Sequence, residues 1–172
     1  MNYKLFKSIN RRSGHYSPID FLMILISNQI RYVFILVLVV CFFRNDSYKK
    51  ATFNAGISAG LSLMIHSVIK LFFFKPRPFV KRRVGILIPS KMDSTFPSKH
   101  TLLVFAISTS LFLYQRVLGS IMWILSVFTG FSRIWVGHHY PSDIIGSAVI
   151  ATMTSLIVDK IARHKEYISS KY

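Results

Sequence analysis

Long apolar runs separated by short polar turns set the plan of this chain. Residues 18–43 are mostly apolar but are interrupted by Asn28, Gln29 and Arg31. An Arg at mid-bilayer costs roughly 2.5–3.5 kcal/mol even on a lenient insertion scale. The stretch therefore reads as a short entering helix over about 18–28 and a spanning helix over about 30–44. A polar turn from Arg44 to Lys50 leads into the apolar run Ala51 to Phe74. That run exceeds the ~20 residues that a span needs, and its His66 and Lys70 stand four apart on one face. After a polar loop over 75–98, two runs of about 100–115 and 117–136 form a hairpin at Gln115 and Arg116. A last run, about 142–158, enters a basic tail. Residues 1–16 are polar and basic with Phe6 and Ile9 interspersed, which fits a short amphipathic helix on the membrane surface or a solvated tail. The pattern predicts an all-α, polytopic membrane bundle of five to six membrane segments, with no repeats, linkers or low-complexity segments.

Composition agrees. With 172 residues the chain has room for a single domain over 1–172, and 52% hydrophobic residues exceed the ordinary soluble range. The mean hydropathy is +0.44. Against that background a formal charge of +16, from 22 Lys+Arg and only 6 Asp+Glu, must concentrate in a few polar loops. Such a balance suits nucleic acid in a soluble protein. In a chain mostly within a bilayer it favours anionic lipid head groups or phosphate esters, and no nucleic acid partner is expected. The single cysteine, Cys41, lies inside an apolar run, so no disulfide within the chain and no cysteine metal site is expected. Basic residues Lys4, Lys7, Arg11 and Arg12 are not followed closely by an apolar run with a small-residue cleavage site, so no removable signal peptide is expected.

Topology gathers the polar positions. Loop 75–98 joins two spans on one side of the membrane, and the following hairpin returns residues 131–143 to that side. Arg44, Lys49, Lys50, Arg116 and the basic tail fall on the other side, which the positive-inside tendency makes cytoplasmic. The loops of interest would then face outward although they are as basic as the inner ones. Binding of a polyanionic substrate supplies a reason.

Three clusters carry candidate chemistry. At the end of the second span, Arg77 between Pro76 and Pro78 offers a rigid fork for two phosphate oxygens, and Lys70 adds a point charge. Basic residues that merely snorkel to head groups are the bland alternative. Next, Ser98 precedes an apolar helix as a plausible N-cap, which would turn the amides of Lys99, His100 and Thr101 towards an anion. His100 is placed there to protonate a leaving oxygen. The third cluster is Ser132, Arg133, His139 and Asp143. Pro141 suits the first helical turn, which lets Asp143 reach back towards His139 and free the other ring nitrogen for attack. Three cationic side chains, a helix N-terminus, a His backed by an Asp and a second His as acid make a phosphoryl-transfer kit that asks for no metal. His138 has no clear partner in the sequence, and His66 reads as a polar residue within the bundle. Trp135 and Tyr140 border the site, where an apolar tail of a ligand and an aromatic belt explain them equally well.

Lys70-x6-Arg77-Pro78, Pro97-Ser98-Lys99-His100 and Ser132-Arg133-x5-His139-x3-Asp143 resemble, in order and spacing, the tripartite signature of the type 2 phosphatidic acid phosphatase superfamily. The resemblance covers roughly residues 50–160, taken as the core of the domain, with 1–16 as a basic N-terminal segment. Phe79 and the run from Gly130 to Pro141 look most like the bacitracin-resistance type of undecaprenyl-diphosphatase within it. One departure is Lys99, where the superfamily usually has Gly. The amide survives that exchange, and the Lys offers a contact to a second phosphate, which favours a diphosphate.

The resemblance implies a metal-independent mechanism without cofactor. His139 attacks the terminal phosphorus, Asp143 orients it, His100 acts as acid and then base, and Lys70, Arg77, Ser98, Lys99 and Arg133 hold phosphate. It also implies an isoprenoid diphosphate substrate, a bacterial plasma membrane setting, a role in recycling the cell-wall carrier lipid, and no obligate protein partner. Two alternatives stay open: a phosphatase of the same family acting on phosphatidic acid or phosphatidylglycerol phosphate, and a non-catalytic protein that binds anionic lipid.

Overall fold

A computed structural model describes residues 2–81, 84–90, 92–169 and 171. Arg82, Arg83 and Lys91 of the basic loop lie outside the described residues. The described residues form seven helices: α1 (Asn2–Asn10), α2 (Ser17–Phe42), α3 (Asp46–Phe72), the single turn α4 (Pro78–Lys81), α5 (Lys99–Tyr114), α6 (Arg116–Trp135) and α7 (Pro141–Ser169). Four of them, α2, α3, α6 and α7, are long and apolar enough to cross a membrane, and α5 is a shorter apolar helix of 16 residues. Their outer surfaces carry exposed Leu36, Val40, Phe53, Ile124, Ile145 and Ile157, the side chains that a lipid-facing surface keeps.

The long helices run alternately up and down. One end holds α1, the loop after α3, and the junction of α6 and α7. The other end is tied by Gln115 donating to Ser47 at 3.1 Å and by the Lys50–Glu166 ion pair. Helix α5 stands at the centre against α3, α6 and α7, and its Leu102, Val104, Phe105, Ile107 and Leu111 join Phe34, Ala55, Met122 and Ala151 in the main core. Small hydroxyl side chains let these helices approach closely and tie them together. Ser126 donates to the Val104 carbonyl at 3.0 Å and Ser155 to the Ala106 carbonyl at 3.0 Å. Gly119 makes the α5–α6 corner possible, since a Cβ there would sit 2.2 Å from the Phe112 Cα.

Two expectations change. The split of residues 18–43 into two pieces is replaced by one continuous helix, α2. Arg31 is accommodated because α2 extends past the end of α5, which brings the Arg31 Nη1 to 3.4 Å from the His100 Nε2. Near the middle of α2, the Arg meets the His100 ring and the Tyr32 hydroxyl, to which its Nη2 donates at 3.1 Å.

Helix α1 is neither a surface helix apart from the bundle nor a free tail. Phe6 is wholly buried with Ile134, Tyr140 and Ile144, and its ring meets the Tyr140 ring edge-on at 5.5 Å. Asn10 donates to the carbonyls of Gly85 and Trp135, both at 2.9 Å, while Asn2 and Ser142 exchange two hydrogen bonds.

Candidate active site

Four chain segments converge at the α1 end. Helix α6 delivers Arg133 from its last turn, and the chain turns away two residues past its end at Gly137, whose φ of +88° no L side chain adopts easily. A Cβ at Gly137 would also lie 2.4 Å from the Gly85 carbonyl oxygen, so this position needs glycine for both reasons. The reversal aims His138 and His139 inward, where both are buried. Helix α7 then starts at Pro141, and the Asp143 carboxylate caps it by accepting the Tyr140 amide at 3.0 Å.

Asp143 therefore reaches backwards, but its partner is not the His139 ring. Its carboxylate accepts from the Thr95 hydroxyl at 2.8 Å and pairs with Lys75. The His139 Nδ1 lies 2.7 Å from the Thr95 carbonyl and 3.2 Å from the Thr95 hydroxyl. A carbonyl only accepts, so the ring proton sits on Nδ1 and Nε2 carries the free lone pair. Thr95 is the hinge of this arrangement: its main chain orients the imidazole, and its side chain passes the restraint on to Asp143.

A cavity of about 210 Å³ is lined by Lys70, Arg77, Lys99, His100, Arg133 and His139, together with His66, Ser90, Asp93, Ser94 and Pro97. The structure thus brings six of the eight expected site residues around one space. The other two stand behind its wall. Asp143 is fully buried beneath Thr95, and Ser98 is fully buried with its hydroxyl accepting from Thr101 at 3.0 Å and its amide donating to Ser147 at 2.7 Å. Ser98 occupies the N-cap position of α5, but its side chain caps no backbone amide. The first bond of that helix runs from the Leu102 amide to the Ser98 carbonyl, so the amides of residues 99–101 precede the ladder and remain available to an anion.

The electrostatics are lopsided. Arg133 is buried, donates from Nη1 to Ser27 at 2.6 Å, and has no partner for Nε and no acidic neighbour among the described residues. Burial and the Arg133 and Arg77 guanidinium groups hold the His139 ring well below its ordinary 6.5. For His138, burial first and Arg133 next push the value down to about 4. Its Nε2 donates to the Ile88 carbonyl at 2.8 Å and its Nδ1 has no partner among the described residues, the arrangement of a neutral ring.

Asp93 opposes this excess of cations. It accepts from Lys70 at 2.6 Å and from Arg77 at 2.7 and 2.9 Å. Burial raises its carboxyl, and the hydrogen bonds from Lys70 and Arg77 outweigh that and leave it below the ordinary carboxylate value. Sequence reasoning passed over Asp93, Thr95, Lys75, Ser27 and Arg31. For Asp93 a signal existed, since it is the sole carboxylate between Asp46 and Asp143. Trp135, at the border in sequence, is buried and donates to Asp20 at 2.8 Å, so it faces α2.

A membrane bundle with buried imidazoles at one end, ringed by cations that outnumber their acids, is the architecture of an integral membrane phosphatase. The chain belongs to the PAP2 superfamily, whose family model matches residues 51–166. It is 40% identical over 158 residues to the undecaprenyl-diphosphatase BcrC of Bacillus subtilis, covering 91% of this chain and 82% of that protein. Among solved structures it resembles Aquifex aeolicus LpxE, with a TM-score of 0.79, 25% identity, and coverage of 92% of this chain and 94% of that one. A PAP2-type phosphatidylglycerolphosphate phosphatase from Bacillus subtilis shares the fold, with a TM-score of 0.72 at 15% identity over 94% of this chain and 86% of that one.

Proposed function

We propose that the protein removes the terminal phosphate of undecaprenyl diphosphate, releasing undecaprenyl phosphate and inorganic phosphate at the outer face of a bacterial plasma membrane. The carrying observation is Arg133: a guanidinium buried at a cavity wall, without a counter-charge among the described residues, is costly unless an anion arrives to pair with it. Phosphate is the anion whose oxygens match the forks of Arg133 and Arg77 and the amides at the start of α5. Likeness to the undecaprenyl-diphosphatase of Bacillus subtilis supports the choice of lipid. Lys99 at the cavity wall supports a substrate with a second phosphate.

In this reading the His139 Nε2 attacks the terminal phosphorus. The bond from phosphorus to the bridging oxygen breaks, and that oxygen leaves with the lipid phosphate, taking a proton from His100. The phosphoryl group passes to His139 and is then transferred to water, with His100 now accepting the proton. Thr95 and Asp143 fix the ring throughout, while Lys70, Arg77, Lys99 and Arg133 neutralise the equatorial oxygens. Ser98 acts through position, by anchoring the first turn of α5 against Ser147. Residues 1–172 form one phosphatase domain, with α1 part of it.

The test is phosphate release by the purified protein in detergent, from undecaprenyl diphosphate and from phosphatidic acid, with chelator present. Fast release from the diphosphate is expected, unaffected by EDTA and absent in folded His139→Ala. Preference for phosphatidic acid would replace the substrate. Turnover by the His139→Ala variant would remove the covalent route, and no release from either lipid would leave a binding protein.

A further inference from the structure

We propose that Asp93 is a positioning residue of this reaction, a carboxylate that yokes Lys70 to Arg77 so that the pair meets the terminal phosphate as one unit. The inference rests on the phosphatase reading and adds a residue to it. Lys70 lies in the last turn of α3 and Arg77 follows an irregular stretch, so the local backbone does not fix the distance between their charges. Their like charges repel, and long side chains hold no single geometry in the absence of a partner.

Asp93 supplies the partner. One carboxylate oxygen accepts from the Lys70 Nζ, and the other accepts from both Nε and Nη2 of Arg77. The count of donors decides what this contact does. A guanidinium carries five N–H groups and an ammonium three. Asp93 occupies the Nε edge of Arg77 and one proton of Lys70, and the His138 carbonyl accepts from the Arg77 Nη1 at 3.4 Å. Two N–H groups of Arg77 and two protons of Lys70 remain for phosphate oxygens.

Asp93 is also well placed to couple this pair to the nucleophile. Thr95, two residues on, holds the His139 ring through its carbonyl, and Ser94 between them donates to the Phe96 carbonyl at 3.0 Å. One short segment therefore sets both the cations and the imidazole. Removing the carboxylate would loosen the cations where the transition state needs them, with the charge developing on the phosphoryl oxygens.

The experiment compares wild type, Asp93→Asn and Asp93→Glu as full-length protein in detergent. It measures kcat and KM for undecaprenyl diphosphate, inhibition by orthovanadate as a mimic of the pentacoordinate phosphorus, and melting temperature. Asp93→Asn is expected to lower kcat about tenfold or more, to change KM by less, and to weaken vanadate in step with kcat, with melting near that of wild type. Asp93→Glu, which keeps the charge, is expected to recover part of the loss. A variant that keeps wild-type kcat and vanadate inhibition overturns the proposal. So does one that binds substrate and inorganic phosphate more tightly at undiminished kcat, because the carboxylate would then be a competitor for the cations. If Asp93→Asn does not fold, Asp93→Glu carries the same comparison, its longer arm shifting the pair. Wild type that hydrolyses phosphatidic acid and spares the diphosphate would end the substrate reading alone, and the same ratios would then be measured on that ester.

Discussion

His138 and His139 share a buried, cationic corner, and both rings are held neutral far below the ordinary imidazole range. The consequence for stability has a definite sign. In the unfolded chain His138 takes up a proton as pH falls through 6.5, whereas in the folded chain it resists until about 4. Below 6.5 the unfolded state binds more protons, so stability present at neutral pH is lost as pH drops towards 4. The loss from this one residue is on the order of 3 kcal/mol, and His139 acts in the same direction. Melting temperature in detergent is expected to fall from pH 7 to pH 5, and to fall less steeply in His138→Gln; equal slopes would contradict the assignment. At this scale much of the site was legible, because Arg77, His100, Arg133 and His139 belong to motifs whose spacing survives in the chain. Thr95 and Asp93 were not, because their roles depend on how a loop of irregular backbone folds back across 44 residues to His139 and 23 residues to Lys70.

At the level of the helices, period and polarity sufficed for α3, α5, α6 and α7, whose predicted limits differ from the observed ones chiefly by added turns. The last helix runs on to Ser169 because its basic tail is helical too. The continuity of α2 is hidden in the sequence because Arg31 reads as a break in a span, and only the helix beside it supplies the His100 ring that the Arg meets. The role of α1 was illegible for another reason: its apolar face matches a membrane surface as well as it matches Ile134, Tyr140 and Ile144. The two settings are separable by experiment. Phe6→Ala removes a wholly buried ring, which should cost roughly 3–5 kcal/mol and lower the melting temperature clearly. Activity should fall with it, since α1 braces the turn that carries His139 and Asp143. An unchanged melting temperature would return α1 to the membrane surface.

For the whole molecule the property to test is direction. The site end and the opposite end carry similar positive charge, so charge alone ranks the two orientations weakly. Chemical access answers more directly. Cys41 is buried, which leaves the surface free of reactive thiols among the described residues. Met92, beside the site loop, and Val117, at the far corner, are 79% and 77% exposed. With the site outward, a membrane-impermeant maleimide should label Met92→Cys in intact cells and label Val117→Cys only after permeabilisation; the reverse pattern would place the site inside.

The contact between Asn2 and Ser142 spans 140 positions of chain. Synthesis proceeds from N- to C-terminus, so α1 emerges ahead of every segment it packs on. Its final seat exists only once α6 and α7 have been inserted and have turned Ile134, Tyr140 and Ile144 towards one another. Contacts so distant in sequence form late, after the loops between them have closed. Assembly would therefore run in the opposite order to synthesis at this end, with α1 made ahead of α6 and α7 but seated after them. A fusion partner added ahead of Asn2 would emerge beside the site, whereas one added after the last helix would hang from the far end.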